Sequence, residues 1–541
     1  MRLIIERRRA TWLTGMIITV FMGTAIWGRC AESTNTTDPL LDLFIKKGFV
    51  TQQEAEQVEA EAAGLRTNEM QMPPAPPSQW KISRGIKNME LFGDIRLRYE
   101  DRSADDSGNN RIDLQRYRYS VRLGLRGDLF DDFYYGVRLD TGVNPRSSFV
   151  TAGTSSSSSS VYQGPFGKSN GGVNIGQVYL GWRPWNWLDL TVGKMPNPMF
   201  TSSMVWNGNI TPEGFAEHLK YTVGPAEFFA TFGQFLYADF NPATASGGLG
   251  FNENFGQKTD NIFMFAWQGG LDYHITTNTS AKVAATLYTY TGRRQSTANT
   301  FGSSSPYFGD PYIGEGAYYL GFPNAAPGYS GYGISTPWPG YGSVNFPFNQ
   351  VGLNHLTVVE IPFEFNFKIS RWDARVFGDF AYNLEGSQRA EDAAAAYQAV
   401  QQYYKSLNYS PAPHLTSPQT SDDKAYQIGF DIGSRDSLGL VSGTTSRRHA
   451  WEIKSYWQHI EQYSLDPNLL DTDFFEGREN LEGIYVAAAY SFTDNLIGAF
   501  RWGHASRINK LLGTGGSGQD IPQMNPINDF DIYQVDLTLR F

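Results

Sequence analysis

The chain of 541 residues contains one cysteine, Cys30, so neither a disulfide framework nor a cysteine-based metal site can organise it. A basic excess is also missing: the formal net charge is -10. That disfavours a nucleic-acid partner, whose electrostatic footprint is a basic patch or stripe. Mean hydropathy is -0.38, too low for a series of membrane-spanning helices. The seven histidines (218, 274, 355, 414, 449, 459 and 504) are scattered and form no H-E-x-x-H or other ligand spacing. The Ser-rich run 155–160 contains no nucleophile elbow, and the Gly-rich run 511–518 lacks the lysine of a phosphate loop. The expectation is therefore no catalytic set, no metal and no cofactor.

One apolar stretch stands out. Trp12 to Trp27 follows Arg7, Arg8 and Arg9 and is too short for a comfortable membrane span. This is the layout of an export signal, so residues 1–30 are read as a signal peptide. Gly28-Arg29-Cys30 suits ordinary cleavage, and Arg29 speaks against the lipoprotein reading that Cys30 invites. Leu40, Leu41, Phe44 and Ile45 then recur at helical spacing, and Thr51 with Glu54 forms a capping box. With the Pro-rich linker 72–78, residues 31–80 read as a small helical periplasmic segment.

What the chain has in abundance is aromatic side chains, at 15%, and glycine. From Met89 onward the apolar period becomes two. Tyr117, Tyr119, Val121, Leu123 and Leu125 alternate with Arg116, Arg118, Ser120, Arg122 and Arg126. Successive strand residues point to opposite faces, so one face meets something apolar and the other meets water. About sixteen such strands are expected, near 89–100, 115–130, 132–144, 173–183, 187–195, 217–223, 226–237, 261–274, 280–291, 355–370, 372–384, 424–436, 449–464, 479–492, 495–507 and 530–541. Tight turns at Asp131, 184–186, Gly224-Pro225, Ser370-Arg371 and Thr493-Asp494 alternate with long polar loops at 145–172, 196–216, 238–260, 292–354, 385–423, 465–478 and 508–529. Short periplasmic turns and long extracellular loops are the construction rule of an outer-membrane barrel.

The fold class expected is thus all-β, a transmembrane antiparallel up-and-down β-barrel over 89–541. Eighteen strands is the alternative, should 292–354 hide a hairpin. The link 437–448 is too long for a periplasmic turn, and Pro362 inside a strand suggests a bulge. The Ala- and Gln-rich run 390–407 should be helical within an extracellular loop. Phe541 closes the chain, preceded at every second place by Leu539, Leu537, Val535 and Tyr533. That pattern resembles the assembly signal of bacterial outer-membrane barrels.

The segments LLDLFIKKGFVTQQEAEQVEAE (40–61), ELFGDIRLRYE (90–100), RYRYSVRLGLRGDLFDDFYYGVRL (116–139) and LTVGKMPNPMF (190–200) resemble a putative porin family of Gram-negative bacteria. The last is more loosely similar to phosphate-selective porins. The resemblance implies a cell outer-membrane channel for small hydrophilic solutes or ions, built as a homotrimer. Outer-membrane lipid, lipopolysaccharide and the barrel-assembly machinery would be its partners.

By alternation the candidate pore-lining residues are Arg96, Arg98, Arg116, Arg118, Arg122, Arg126 and Arg138, with Glu360, Glu364, Arg375 and Asp379 across the barrel. The arginine row reads either as a solvated wall or as a rail that attracts anions, since rings of charge tune pore selectivity. In a barrel of sixteen strands the second faces the tenth, so Glu360 and Glu364 would oppose Arg118 and Arg122 in a transverse field. The aromatic loop 292–354 reads as a self-packed cap or a stacking surface for solutes. Three rivals remain. An energy-coupled receptor needs a plug larger than the roughly fifty residues before the first strand. An enzyme needs a polar catalytic set that is not visible. An adhesin or structural barrel with a blocked pore is the standing alternative.

Overall fold

The computed structural model describes residues 85–106, 110–153, 173–238, 262–291, 355–391, 422–444, 447–510, 512, 514, 520–521 and 527–541, and the backbone of a hairpin at Thr336–Trp338 and Tyr341–Val344. The signal-peptide and helical-segment readings at 1–80, and most of the helix expected at 390–407, lie outside these residues.

Alternation sets the architecture. A strand with apolar residues on one face and charges on the other cannot satisfy both faces in a single solvent. Closing the sheet into a cylinder gives each face its own medium and leaves no free edge. The wall is built from β1 (Glu90–Asp105), β2 (Arg111–Asp128), β3 (Phe133–Asp140), β4 (Asn174–Trp185), β5 (Leu188–Lys194), β6 (Glu213–Val223), β7 (Ala226–Ala238) and β8 (Ile262–Thr276). It continues through β9 (Thr279–Tyr290), β10 (Val358–Ile369), β11 (Trp372–Asn383), β12 (Lys424–Ser434), β13 (Trp451–Ile460), β14 (Leu481–Ser491), β15 (Leu496–Arg507) and β16 (Asp529–Arg540). Every neighbour in sequence pairs antiparallel, and β1 closes on β16 from Asp94↔Arg540 to Asp105↔Asp529.

Each of the sixteen expected strands is present. The hairpin at 336–344 pairs only with itself, so the eighteen-strand alternative is not realised in the wall. Leu91, Leu97, Tyr117, Val121, Ile361, Phe363 and Phe365 are exposed on the outside. So are Tyr533, Val535, Leu537, Leu539 and Phe541 of the closing strand. Asp94, Arg98, Glu100, Gln534 and Asp536 are turned inward and covered. The tight turn between β2 and β3 is carried by Asp131 and Asp132 at φ 49° and 63°, the left-handed conformation that two-residue hairpins require.

Two local expectations are corrected, and the long link at 437–448 is explained. The β1–β2 hairpin is taller than the pattern suggested, because paired charges such as Asp105 and Arg111 extend the ladder beyond the apolar stretch. Pro362 makes no bulge. The β9–β10 ladder skips it between Val283↔Phe363 and Thr286↔Glu360 and resumes in the same register. The link 437–448 is long because it folds inward: Leu440 and Val441 are buried. The Glu452 carboxylate accepts from the N–H of Gly439 at 3.0 Å and of Val441 at 2.6 Å. Above the short β3, Val150–Thr151 pairs with Arg118 and Tyr119 of β2 and extends the ladder where that strand stops.

The inward–outward assignment predicts unequal costs of substitution. Val535→Arg, on the lipid face, should lose about 2–4 kcal/mol of unfolding free energy in vesicles. Lys220→Gln, exposed on the inner wall, should cost under about 0.5 kcal/mol. Similar losses at both positions would contradict the assignment.

Candidate functional site

Chain segments turned into the lumen make the site. The loop after β5, residues 195–212, leaves the wall and lays Met195, Met199, Met204, Val205 and Trp206 into a buried apolar cluster inside the barrel. Gln268 on β8 clasps its backbone, accepting from the Phe200 N–H at 2.9 Å and donating to the Phe200 carbonyl at 2.8 Å. The next two hydroxyls reach carboxylates on the wall. Thr201 donates to Glu360 at 2.5 Å, and Ser202 donates to Asp379 at 2.5 Å. The Tyr288 hydroxyl takes the other oxygen of Glu360 at 2.6 Å. Glu360 is turned inward as its place in β10 requires, but it is fully covered, and Asp379 is 2% exposed. The open acidic wall expected opposite the arginines is therefore capped at these two positions. Glu364 stays partly exposed and lies 3.4 Å from Arg375, which also pairs with Asp431.

The loop after β13, residues 461–480, crosses the same space. The Tyr290 hydroxyl on β9 donates to Asp466 at 2.9 Å, and Asn383 at the end of β11 donates to the Tyr463 carbonyl at 2.9 Å. From the 195–212 loop, Asn207 donates its backbone N–H to Leu469 at 2.7 Å and its side-chain amide to Asp471 at 2.9 Å. Arg146, in the connection after β3, donates to the Pro467 carbonyl at 2.7 Å.

The 461–480 loop is a strap across the lumen, and on its other side it meets the arginine wall together with Asp520 from the connection after β15. Arg98 donates to Asp536 of β16 at 2.7 Å and to Asp473 at 2.9 Å. Arg102 pairs with Glu100 at 3.0 Å and with Asp520 at 3.2 Å. Arg116 donates to Glu100 at 2.7 Å and to Asp520 at 2.8 Å. Burial alone would raise the Asp473 carboxyl, but the charges of Arg98 and Arg102 outweigh it and hold the group below its ordinary range. The same contest, with Arg102 and Arg116, holds Asp520 down. Asp471 goes the other way: burial, and then the charge of Asp473, pushes it up to about 6.

Towards the end of the barrel that carries the tight turns, the arginines pair with carboxylates of the wall. Arg96 and Arg122 share one carboxylate, Asp94, at 3.0 and 2.9 Å. Arg126 forks onto Glu90 and Arg138 onto Asp140. Arg118 has the loosest company of the row. Its nearest carboxylate is Glu100 at 3.8 Å, and the Phe149 ring lies 5.3 Å away. All the residues selected by alternation thus face the interior. The pattern missed Arg102, which lies beyond the expected end of β1, and the loop acids Asp473 and Asp520, which no periodicity marks. Alternation itself sets Asp94 and Glu100 on the polar face of β1 and Asp536 on that of β16, although none of the three is among the pore-lining candidates. No group of three or more residues suited to a metal ion occurs among the described residues.

Comparison with known proteins bears on this arrangement. A family model described as a putative porin matches residues 103–541. No curated protein sequence matches. Among solved structures, OpdQ of Pseudomonas aeruginosa aligns at 10% identity over 85% of this chain and 99% of its own, with a TM-score of 0.37. An anion-selective porin from Comamonas acidovorans aligns at 8% identity over 84% and 99%, with a TM-score of 0.39. OprB of Pseudomonas putida aligns at 10% identity over 85% and 94%, with a TM-score of 0.40. Likeness at this level carries no argument about fold or solute, which rest on the barrel itself and on the family match.

The raised Asp471 has a consequence for the strap. A carboxyl whose folded value lies above its ordinary value costs docking stability as pH rises from that ordinary range to about 6. Asp471→Asn keeps the oxygen that accepts from Asn207 and removes the charge. Amide exchange over 461–480 should then be slower than wild type at pH 8, with a smaller difference at pH 5 that vanishes only below the ordinary carboxylate value of about 4. Faster exchange at pH 8 would contradict the reading.

Proposed function

The chain belongs to the putative porin family, and from that premise we propose that its channel passes small hydrophilic solutes and ions and prefers anions. It is an outer-membrane porin, a channel rather than an enzyme. The preference rests on one observation: Thr201, Ser202 and Tyr288 cover Glu360 and Asp379, while Arg96, Arg118 and Arg122 on the facing wall stay partly exposed, their side chains 17%, 10% and 16% accessible. On β15 through β3 the inward arginines outnumber the inward carboxylates, and Arg96 and Arg122 have a single Asp94 between them. Fields from such groups reach across a narrow pore, because the Debye length is about 8 Å at physiological ionic strength.

The remaining readings belong to the same proposal. Residues 1–30 direct export, and the closing strand ending in Phe541 is the signal read by the assembly machinery. Three copies associate in a membrane whose outer leaflet carries lipopolysaccharide. The rival reading is an adhesin with a blocked lumen, and it is favoured by how much loop material the described barrel holds.

Planar-bilayer recordings separate these readings. Ohmic steps support a channel, and silence supports the adhesin. In a salt gradient the wild-type reversal potential should show anion preference. Arg118→Ala with Arg122→Ala should shift it towards cations, and Glu360→Gln should leave it in place. Cation preference in the wild type would overturn the proposal.

A further inference from the structure

The inner wall carries a second feature, away from both inward loops. At the periplasmic ends of β1 to β4 lies a cleft of about 480 Å³, lined by Tyr134, Tyr179, Arg126 and Arg183 among others. That volume falls within the range of small-molecule sites, roughly 300–1,000 Å³.

Glycines create it. Tyr134 covers Gly181 on the neighbouring strand, and a Cβ there would stand 1.9 Å from its ring. Tyr179 covers Gly136 in the same way, at 2.4 Å. Both rings can therefore lie low against the wall. The Arg183 guanidinium stacks over Tyr134 at 4.0 Å from the ring centre. Such a stack fixes the plane of the cation and leaves its edge available.

The hydrogen-bond inventory selects the ligand. Arg126 spends Nε and Nη2 on Glu90 and keeps Nη1. Arg183 spends only Nε, on Asp189 at 2.9 Å, and keeps both terminal nitrogens. The Tyr179 hydroxyl makes no hydrogen bond among the described residues and feels the charges of Arg126, Arg138 and Arg183. On the acceptor side, both oxygens of Glu90 are taken by Arg126, and one oxygen of Asp128 is taken by Asn88. Spare donors outnumber spare acceptors, so a complementary ligand brings acceptors. The flanking rings suit a flat body.

We propose that this cleft is a solute-binding station at the periplasmic mouth for small organic anions, a carboxylate on a planar body. The carboxylate meets the free edges of Arg126 and Arg183 and the Tyr179 hydroxyl, and the planar body lies against the Tyr179 ring, since Arg183 already covers Tyr134. This names a solute class for the anion-preferring channel and rests on that reading.

Calorimetric titration of the full chain in detergent tests it, with benzoate, neutral benzamide and ringless acetate as probes. Benzoate should bind, and benzamide and acetate should each bind roughly tenfold more weakly or worse, as loss of a charge-assisted contact or of the stacked ring implies. Arg183→Gln should weaken benzoate by roughly tenfold while the barrel keeps its heat-modifiable migration. Tyr179→Phe, which removes one hydroxyl and no charge, should weaken it less. Equal binding of benzoate and benzamide, or benzoate binding unchanged in Arg183→Gln, would overturn the station, as would no binding at all. The salt-gradient reversal potential of the same preparation keeps the two claims apart. Retained anion preference without benzoate binding sinks the cleft alone, whereas lost preference sinks the reading beneath it.

Discussion

Buried guanidinium groups must be neutralised, and the interior of this barrel is arranged around that constraint. Arg98 and Arg102 are 5% and 1% exposed. An isolated cation so placed would cost several kcal/mol, and removing one partner of such a pair leaves the other uncompensated. The wall supplies Glu100 and Asp536, which are too few for these two arginines and Arg116 together. Asp473 and Asp520 come from loops. The arginines and the loops therefore depend on each other: without the acids the wall could not be covered, and without the arginines the strap would have no anchor on this side.

From that anchor the contacts run across the lumen. The strap holds the 195–212 loop through Asn207, and that loop reaches Glu360 and Asp379 with its hydroxyls. Charge is thus removed from water at two places. Some arginines are spent on loop acids, and two carboxylates on the far wall are spent on hydroxyls. What stays partly exposed to solute is the wall around Arg96 and Arg122, and beside them Arg118, which the connection after β3 meets through Ser147 and Phe149. The proposed selectivity follows from that remainder, not from the number of arginines in the sequence.

The barrel was legible because period two is a local property. Leu91 to Leu97 and Tyr533 to Phe541 declare their faces without reference to any partner, and the turn at Asp131 marks its own position. The link at 437–448 was recognised as anomalous, but its inward fold depends on Glu452, and no spacing connects the two. The same limit applied to the pore. Alternation placed Glu360 inside, but whether it meets water depends on Thr201 and Tyr288, at sequence distances of 159 and 72 residues. Pairings across such distances leave no periodic trace. Arg102 was missed for a simpler reason: charge pairs, not apolar residues, carry the ladder at the top of β1.

The central claim is that the arginine wall serves first to hold loops in the lumen and only then to act on solutes. Single-channel conductance of Arg102→Met tests it most directly, since methionine keeps much of the packing volume and removes the charge that draws in Glu100 and Asp520. The account predicts a larger, noisier conductance than wild type, as the loops lose their anchor, from a barrel that still assembles. Conductance and noise identical to wild type would contradict it.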